Sequence, residues 1–340
     1  MSFPAGGLLT RRTVSLTVLL ATLVLYMSAA MIAAPVAFQH QLSVYADLML
    51  VLLCAIAIVL PATALVMRPD APLSMLSSMA RRGILRFIVV HVAFAFSMAA
   101  FTTFKLQIPN LVPFYADAML AQVDRSLHGG DPGLMLHALI PPQLAGILVF
   151  AYTDMWFFAW LGMLTYVALQ PNPALRERYL WVLAATFILG GSVLATMLSS
   201  VGPIFHHDVL GSGRFATLMQ GVYSSGARDT TWRAANHLLA AYQSHTSILG
   251  TGISAMPSMH VAVAVLNAWV LTSLNRHLGV LGWFYVALIQ VTSVYLGWHY
   301  AVDGYASIVL VSSIWWVAGR MLNQRAAAVP AALHHSAVPA

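Results

Sequence analysis

Long apolar runs alternate with short polar segments along the chain. The runs cover residues 13–34, 43–67, 84–106, 144–169, 179–201, 256–274, 280–298 and 302–321. A helix needs about 20 apolar residues to cross the hydrocarbon core of a bilayer, and each run is about that long. The pattern therefore predicts an all-α polytopic membrane protein with about eight transmembrane helices.

Composition and charge support this prediction. The chain is 60% hydrophobic and 8% charged, whereas soluble domains carry about 25% charged residues. The net charge of +6 does not indicate a nucleic-acid partner, because the basic residues lie in short segments between apolar runs. The single cysteine, Cys54, cannot form an internal disulfide.

The distribution of basic residues predicts the orientation. With both ends cytoplasmic, the inner segments carry eleven arginines and the outer ones five basic residues, as the positive-inside rule requires. We interpret the chain as a multi-pass protein of a bacterial cytoplasmic membrane, with its active site on the extracytoplasmic face.

The predicted helices divide into three parts. Residues 1–83 hold two additional N-terminal helices and a cytoplasmic loop, residues 84–322 form a six-helix core, and residues 323–340 form a disordered cytoplasmic tail. Two longer segments lie outside. Residues 107–143 form either one or two short amphipathic helices or a plain loop, and residues 202–255 could cover a site.

Four residues with ionisable side chains lie at the predicted outer ends of the helices. Lys105 closes the third helix, His260 opens the sixth, His299 closes the seventh and Asp303 opens the eighth. Pro257 suits the first position of a helix, which places His260 in a first turn whose free N–H groups can receive an anion. The arrangement predicts a phosphate-handling site.

His299 and Asp303 are four residues apart, so on a helix they share one face. The carboxylate can then accept from one ring nitrogen, which leaves the other as a base or nucleophile. An alternative reading treats the histidines as interfacial anchors and the His299–Asp303 pair as a helix-surface contact.

Three motifs resemble the type 2 phosphatidic acid phosphatase superfamily, whose signature is K-x6-R-P, P-S-G-H and S-R-x5-H-x3-D. The corresponding segments are KLQIPNLVP at 105–113, PSMH at 257–260 and TSVYLGWHYAVD at 292–303. Order and spacing agree, but Val112 and Ser293 replace both arginines and Met259 replaces the glycine.

These departures resemble one branch, the inositol phosphorylceramide synthases and, more distantly, the sphingomyelin synthases. The segments AMPSMH at 255–260 and WHYAVD at 298–303 are close to that branch, and so are Phe104, Lys105 and Pro109 followed by Asp117 and Asp124. The resemblance implies transfer of a phospho-headgroup, such as phosphoinositol, from a phospholipid to a lipid alcohol such as ceramide.

The resemblance also implies a two-step reaction without metal or cofactor. His299 would become phosphohistidine, Asp303 would orient it, and His260 would protonate the leaving alcohol and deprotonate the acceptor. Since both motif arginines are missing, other groups must bind the phosphate; the candidates are Lys105, Ser258, Arg214, Arg228, Arg233, His206 and His207. Lys105 could equally be an anchor that snorkels to the interface.

Other functions remain open. A lipid phosphatase acting on phosphatidate or a polyprenyl phosphate would use the same residues with water as acceptor. A non-enzymatic carrier, a transporter or a haem protein is also possible, although haem would need facing histidines at mid-membrane. The expected partners are a phospholipid donor, a lipid alcohol acceptor and the bilayer, with no nucleic acid.

Overall fold

The computed structural model describes residues 6–79, 83–244, 246 and 250–327, with side chains from residue 16 to residue 322. Within these ranges the chain is helical and contains no strand, which confirms the all-α prediction. The α-helices are α1 (Gly6–Ala33), α2 (Pro35–Met67), α3 (Pro72–Met79), α4 (Leu85–Leu111), α5 (Asp117–His128), α6 (Pro132–Leu139), α7 (Ala145–Phe150), α8 (Trp156–Leu169), α9 (Pro173–Ala185), α10 (Ala195–Met197), α11 (His206–Leu210), α12 (Ala216–Tyr223), α13 (Arg228–Gln243), α14 (Met259–Leu274), α15 (Arg276–Tyr295) and α16 (Ala301–Ala327).

Seven helical segments in the described ranges are long and apolar enough to cross a membrane: Leu16–Ala33, Pro35–Met67, Leu85–Leu111, Pro142–Leu169, Pro173–Met197, Arg276–Tyr295 and Ala301–Leu322. The eighth predicted span is α14, which at 16 residues is shorter than about 20. The residues before it, Ala255 to Ser258, are buried but not helical. Non-helical backbone at membrane depth is tolerated where protein surrounds it.

The central helix of the bundle is α14. All its residues from Val261 to Ala268 are buried, as expected for a helix that is apolar all round. It is followed at once by α15, because Asn275 ends α14 and its side chain accepts from the His277 N–H at 2.7 Å. The resulting hairpin brings the start of α14 next to the end of α15.

The two N-terminal helices pack on α4 at the edge of the bundle. Tyr26 of α1 bonds the Ser192 hydroxyl at 2.6 Å, and Tyr45 of α2 bonds Thr102 at 3.0 Å. Most other side chains of α1 and α2 are apolar and exposed. Apolar surface of this extent indicates contact with lipid.

The two longer segments that were predicted to lie outside contain helices. Residues 107–143 hold α5 and α6, and residues 202–255 hold α11, α12 and α13. Of the two readings of residues 107–143, the structure shows the short helices and not a plain loop. At the C-terminus, α16 continues to Ala327, and most of the predicted disordered tail, 328–340, lies outside the described residues.

Candidate active site

The second motif caps the central helix. The Ser258 side chain accepts from the Val261 N–H at 3.4 Å, so α14 begins at Met259. Pro257 therefore precedes the cap, and the expectation that it is the first helical residue was wrong. Ser258 is fully buried, and its own N–H donates to the Asp303 carbonyl at 3.2 Å. These contacts give Ser258 a capping position that joins α14 to α16.

His260, in the first turn of α14, is held between two aromatic rings. Its ring stacks on Tyr152 at a centroid distance of 4.2 Å and contacts the Trp156 ring at 4.1 Å with a tilt of 36°. The indole N–H of Trp156 donates to the His260 carbonyl at 2.9 Å. Both aromatic residues lie at a π-helical turn, Ala151–Met155, and such turns are frequent at functional sites.

His299 and Asp303 are in contact, although not across two turns of one helix. His299 lies in the turn before α16, and Asp303 lies in the first turn of that helix. The His299 Nδ1 is 2.8 Å from the Ala255 carbonyl oxygen and 3.3 Å from the Asp303 Oδ2. Because both neighbours only accept, Nδ1 carries the proton and Nε2 keeps its lone pair.

Asp303 itself is fully buried. Its Oδ2 also accepts from the Tyr300 N–H at 2.9 Å, and its Oδ1 has no hydrogen-bond partner among the described residues. A negative charge in a low-dielectric interior acts more strongly on a neighbouring group than it would in water. It is therefore suited to stabilise positive charge that develops on His299.

Lys105, His260 and His299 line one cavity of about 310 Å³. The rest of the lining is largely apolar and includes Phe101, Trp156, Trp160, Phe187, Phe205 and Trp298. Lys105 lies within α4, which continues six residues further to Leu111. The described residues offer its ammonium no carboxylate and no hydrogen bond. The cavity thus combines one lysine and two histidine side chains inside largely aromatic walls.

The other predicted phosphate ligands do not line this cavity. Arg214, Arg228 and Arg233 are exposed on the outer helices, and His207 is exposed beside Asp208 at 3.2 Å. His206 is buried, with its Nδ1 3.2 Å from the Ser212 carbonyl oxygen. Of these candidates, Lys105 is the one that lines the cavity together with His260 and His299.

Two aspartates of α5 position the site, a role that the sequence did not reveal. The Asp124 oxygens accept the N–H groups of Ala301 at 2.7 Å and Val302 at 2.9 Å. They thus provide hydrogen-bond acceptors for the free N–H groups in the first turn of α16. The same turn carries Asp303. Burial raises the pKa of Asp124, and the two N–H donors oppose that shift.

The second aspartate, Asp117, fixes the backbone beside the cavity. It accepts from the N–H groups of Val201 and Gly202 and from the Tyr300 hydroxyl at 2.9 Å. Burial and the adjacent Asp117 carboxylate raise the pKa of Tyr300. Its hydroxyl therefore stays protonated and can donate to Asp117. Only the resemblance had singled out Asp117 and Asp124, since an acidic residue in a polar segment has many possible partners.

The structure also bears on metal chemistry. Among the described residues no group of three or more histidine, cysteine, aspartate or glutamate side chains is arranged to hold a metal ion. The His299 Nδ1 already faces Ala255 and Asp303.

Gly252 sets the position of Lys105. It has φ +99°, and a Cβ there would lie 2.9 Å from the Lys105 Cγ and 3.2 Å from its carbonyl oxygen. We expect Gly252→Ala to lower turnover about tenfold by displacing Lys105, and to cost about 1–3 kcal/mol from backbone strain. Thermal unfolding and turnover measure the two effects separately.

The matched control is Gly211→Ala, where φ is +67° and nothing lies within 4 Å of the added Cβ. It should share the loss of stability and keep full turnover. Equal turnover in the two variants would contradict the role given to the Gly252–Lys105 contact.

Comparison with known proteins gives one match. The family model described as the PAP2 superfamily matches residues 118–317, which is more than half of the chain and includes His260, His299 and Asp303. A search of curated proteins gave no match, and neither did a search of solved structures.

Proposed function

Because the chain belongs to the PAP2 superfamily, we propose that it is a membrane lipid phosphotransferase that works through phosphohistidine at His299. The family match supports a lipid enzyme of the phosphatase or phosphotransferase type. The finer proposal rests on one observation: the His299 Nε2 has no hydrogen-bond partner among the described residues and lies at a cavity that also holds His260 and Lys105.

The first step breaks a phosphate ester. The His299 Nε2 attacks phosphorus, a P–N bond forms, and the P–O bond to the donor's alcohol breaks as His260 gives that oxygen a proton. Asp303 stabilises the charge on the His299 ring. Lys105 faces the phosphoryl oxygens, on which negative charge is spread in the transition state.

The second step reverses the first with a new alcohol. The acceptor hydroxyl gives its proton to His260 and attacks phosphorus, and the P–N bond breaks. Free His299 is restored, and His260 holds the proton that the next donor needs. With water as acceptor the same steps would give a phosphatase acting on phosphatidate or a polyprenyl phosphate.

Charge favours a phosphodiester donor. A phosphodiester carries one negative charge, whereas a phosphomonoester carries about −1.5 to −2 at pH 7. The cavity lining contains one lysine and no arginine, and Val112 and Ser293, which replace the motif arginines, do not line it. A site with a single lysine suits a donor such as phosphatidylinositol better than a monoester.

The cavity walls favour a lipid acceptor. The aromatic and aliphatic lining suits an alcohol with a long apolar body, such as ceramide, better than water. The distribution of basic residues supports the extracytoplasmic face as the place of reaction. The resemblance to inositol phosphorylceramide synthases points to the same pair of substrates.

An acceptor-dependence assay tests the proposal. Purified protein in mixed micelles with EDTA receives phosphatidylinositol labelled in its headgroup, with or without ceramide, and the products are separated by chromatography. We expect labelled product lipid only when ceramide is present, and none from the His299→Asn variant. If water-soluble label is released equally with and without ceramide, the protein hydrolyses the donor and the proposal is contradicted.

A further inference from the structure

A second cavity lies at the opposite end of the bundle. It has a volume of about 750 Å³, and α9, α14 and α16 line it. Ser273 on its wall is thirteen residues beyond His260 in α14, which is about 20 Å along the helix axis. The two cavities share no lining residue, so this one is separate from the candidate active site.

Arg178 is the charged group of this second cavity. Its Nε and Nη2 donate to the Trp315 carbonyl at 3.0 and 2.7 Å, and its guanidinium lies 3.9 Å from the centroid of the Trp315 ring. Gly319 leaves room for it, since a Cβ there would overlap the Arg178 Nη2. These contacts fix the guanidinium, and the Nη1 donors have no partner among the described residues.

The hydroxyls of the lining add further donors. Ser312 accepts the indole N–H of Trp269 at 3.0 Å, which leaves its own proton to donate. The exposed Ser313 hydroxyl has no hydrogen bond in the described part of the chain. No carboxylate lines the cavity, and the neighbouring Glu177 is not part of the lining. Fixed N–H and O–H donors without acidic groups suit a phosphate oxygen.

The surroundings favour a lipid over a soluble phosphate. The outward face of α16 beside the cavity exposes apolar side chains, namely Val309, Trp316, Val317 and Met321. Tryptophan is typical of membrane interfaces, and Arg320 lies 3.4 Å over the Trp316 ring. A ligand at Arg178 would therefore place its headgroup in the cavity and its acyl chains along α16.

We propose that this cavity binds the phosphate headgroup of an anionic phospholipid, at the end of the bundle opposite the active site. Basic pockets between transmembrane helices bind such headgroups, and Arg178 supplies the positive charge of this one. The occupied site would fix the packing of α9 against α14 and α16.

Native mass spectrometry of the detergent-solubilised full chain tests this site. Phosphatidylglycerol and phosphatidylcholine serve as probes, and the variants are Arg178→Gln and Ser313→Leu. We expect phosphatidylglycerol to bind the unchanged chain more tightly than phosphatidylcholine. Each variant should weaken it about tenfold, the loss for one hydrogen bond to a charged group.

The control is Arg276→Gln, which removes an exposed charge at the same end of the bundle but outside the lining. It should bind like the unchanged chain. Ser313→Leu keeps the test valid if Arg178→Gln fails to fold, because Ser313 is exposed and makes no internal hydrogen bond.

Three results would overturn the proposal. The first is equal affinity for both lipids, and the second is unchanged binding in both lining variants. The third is displacement of phosphatidylglycerol by millimolar glycerol phosphate, which would assign the site to a soluble phosphate ester. Since the readout is lipid binding, the result does not depend on the proposed transferase activity.

Discussion

His299→Asn is expected to lower turnover by at least about 10⁴-fold, which is the scale of loss when a member of a nucleophilic triad is removed. The variant removes the nitrogen that attacks phosphorus. The asparagine amide can still donate to the Ala255 carbonyl, which His299 Nδ1 contacts at 2.8 Å. The fold is therefore expected to survive, and turnover and thermal unfolding measured on the same preparation separate the two effects.

A trapping experiment gives this prediction a second readout. Brief incubation with a phosphorus-labelled donor and no acceptor should leave an acid-labile, base-stable label on the unchanged chain, as a P–N bond requires. Peptide mapping should place the label on His299, and His299→Asn should take up none. The phosphohistidine mechanism would be contradicted if the label lay on another residue or if the variant turned over normally.

Asp303→Asn is expected to lower turnover by about 10²-fold, which is less than the roughly 10⁴-fold lost when a triad's carboxylate alone sets the histidine tautomer. The reason is the second acceptor at Nδ1. The Ala255 carbonyl still holds the proton there, so Nε2 keeps its lone pair. The variant loses only the negative charge that stabilises the positively charged ring.

Stability distinguishes this explanation from a folding defect. Asp303 is fully buried, and its Oδ1 has no partner among the described residues, so removing the charge also removes a desolvation cost. We expect the Asp303→Asn melting temperature to be unchanged or raised while turnover falls. A lower melting temperature with a proportional loss of turnover would show that Asp303 acts on the fold instead.

The helices could be predicted from the chain alone because their cause is local. Backbone groups in a bilayer must bond within the helix, so a run of about 20 apolar residues is itself a sufficient signal. The start of α14 was misplaced by two residues because Pro257 and Ser258 both suit a helix start. The Ser258 hydroxyl decides between them by accepting from Val261.

The partners of the site residues could not be predicted in the same way. Apolar faces of a membrane helix contact either lipid or protein, so the hydrophobic pattern does not tell which side points inward. The contacts of Tyr152 and Trp156 with His260 depend on how α8 and the π-helical turn before it pack against α14. The distance from Arg214, Arg228 and Arg233 to the cavity likewise depends on where the outer helices lie.

The sequence by itself determined the helical membrane architecture, the place of His260, His299 and Asp303 at helix ends, and the motif spacing that resembles the family. Only the tertiary structure decided that Ala255 shares the His299 proton, that Asp117 and Asp124 fix the neighbouring backbone, and that Lys105 faces the histidines. The physical reason is that helix formation depends on neighbours in the chain. Each contact at the site instead joins residues that are brought together only when separate helices pack.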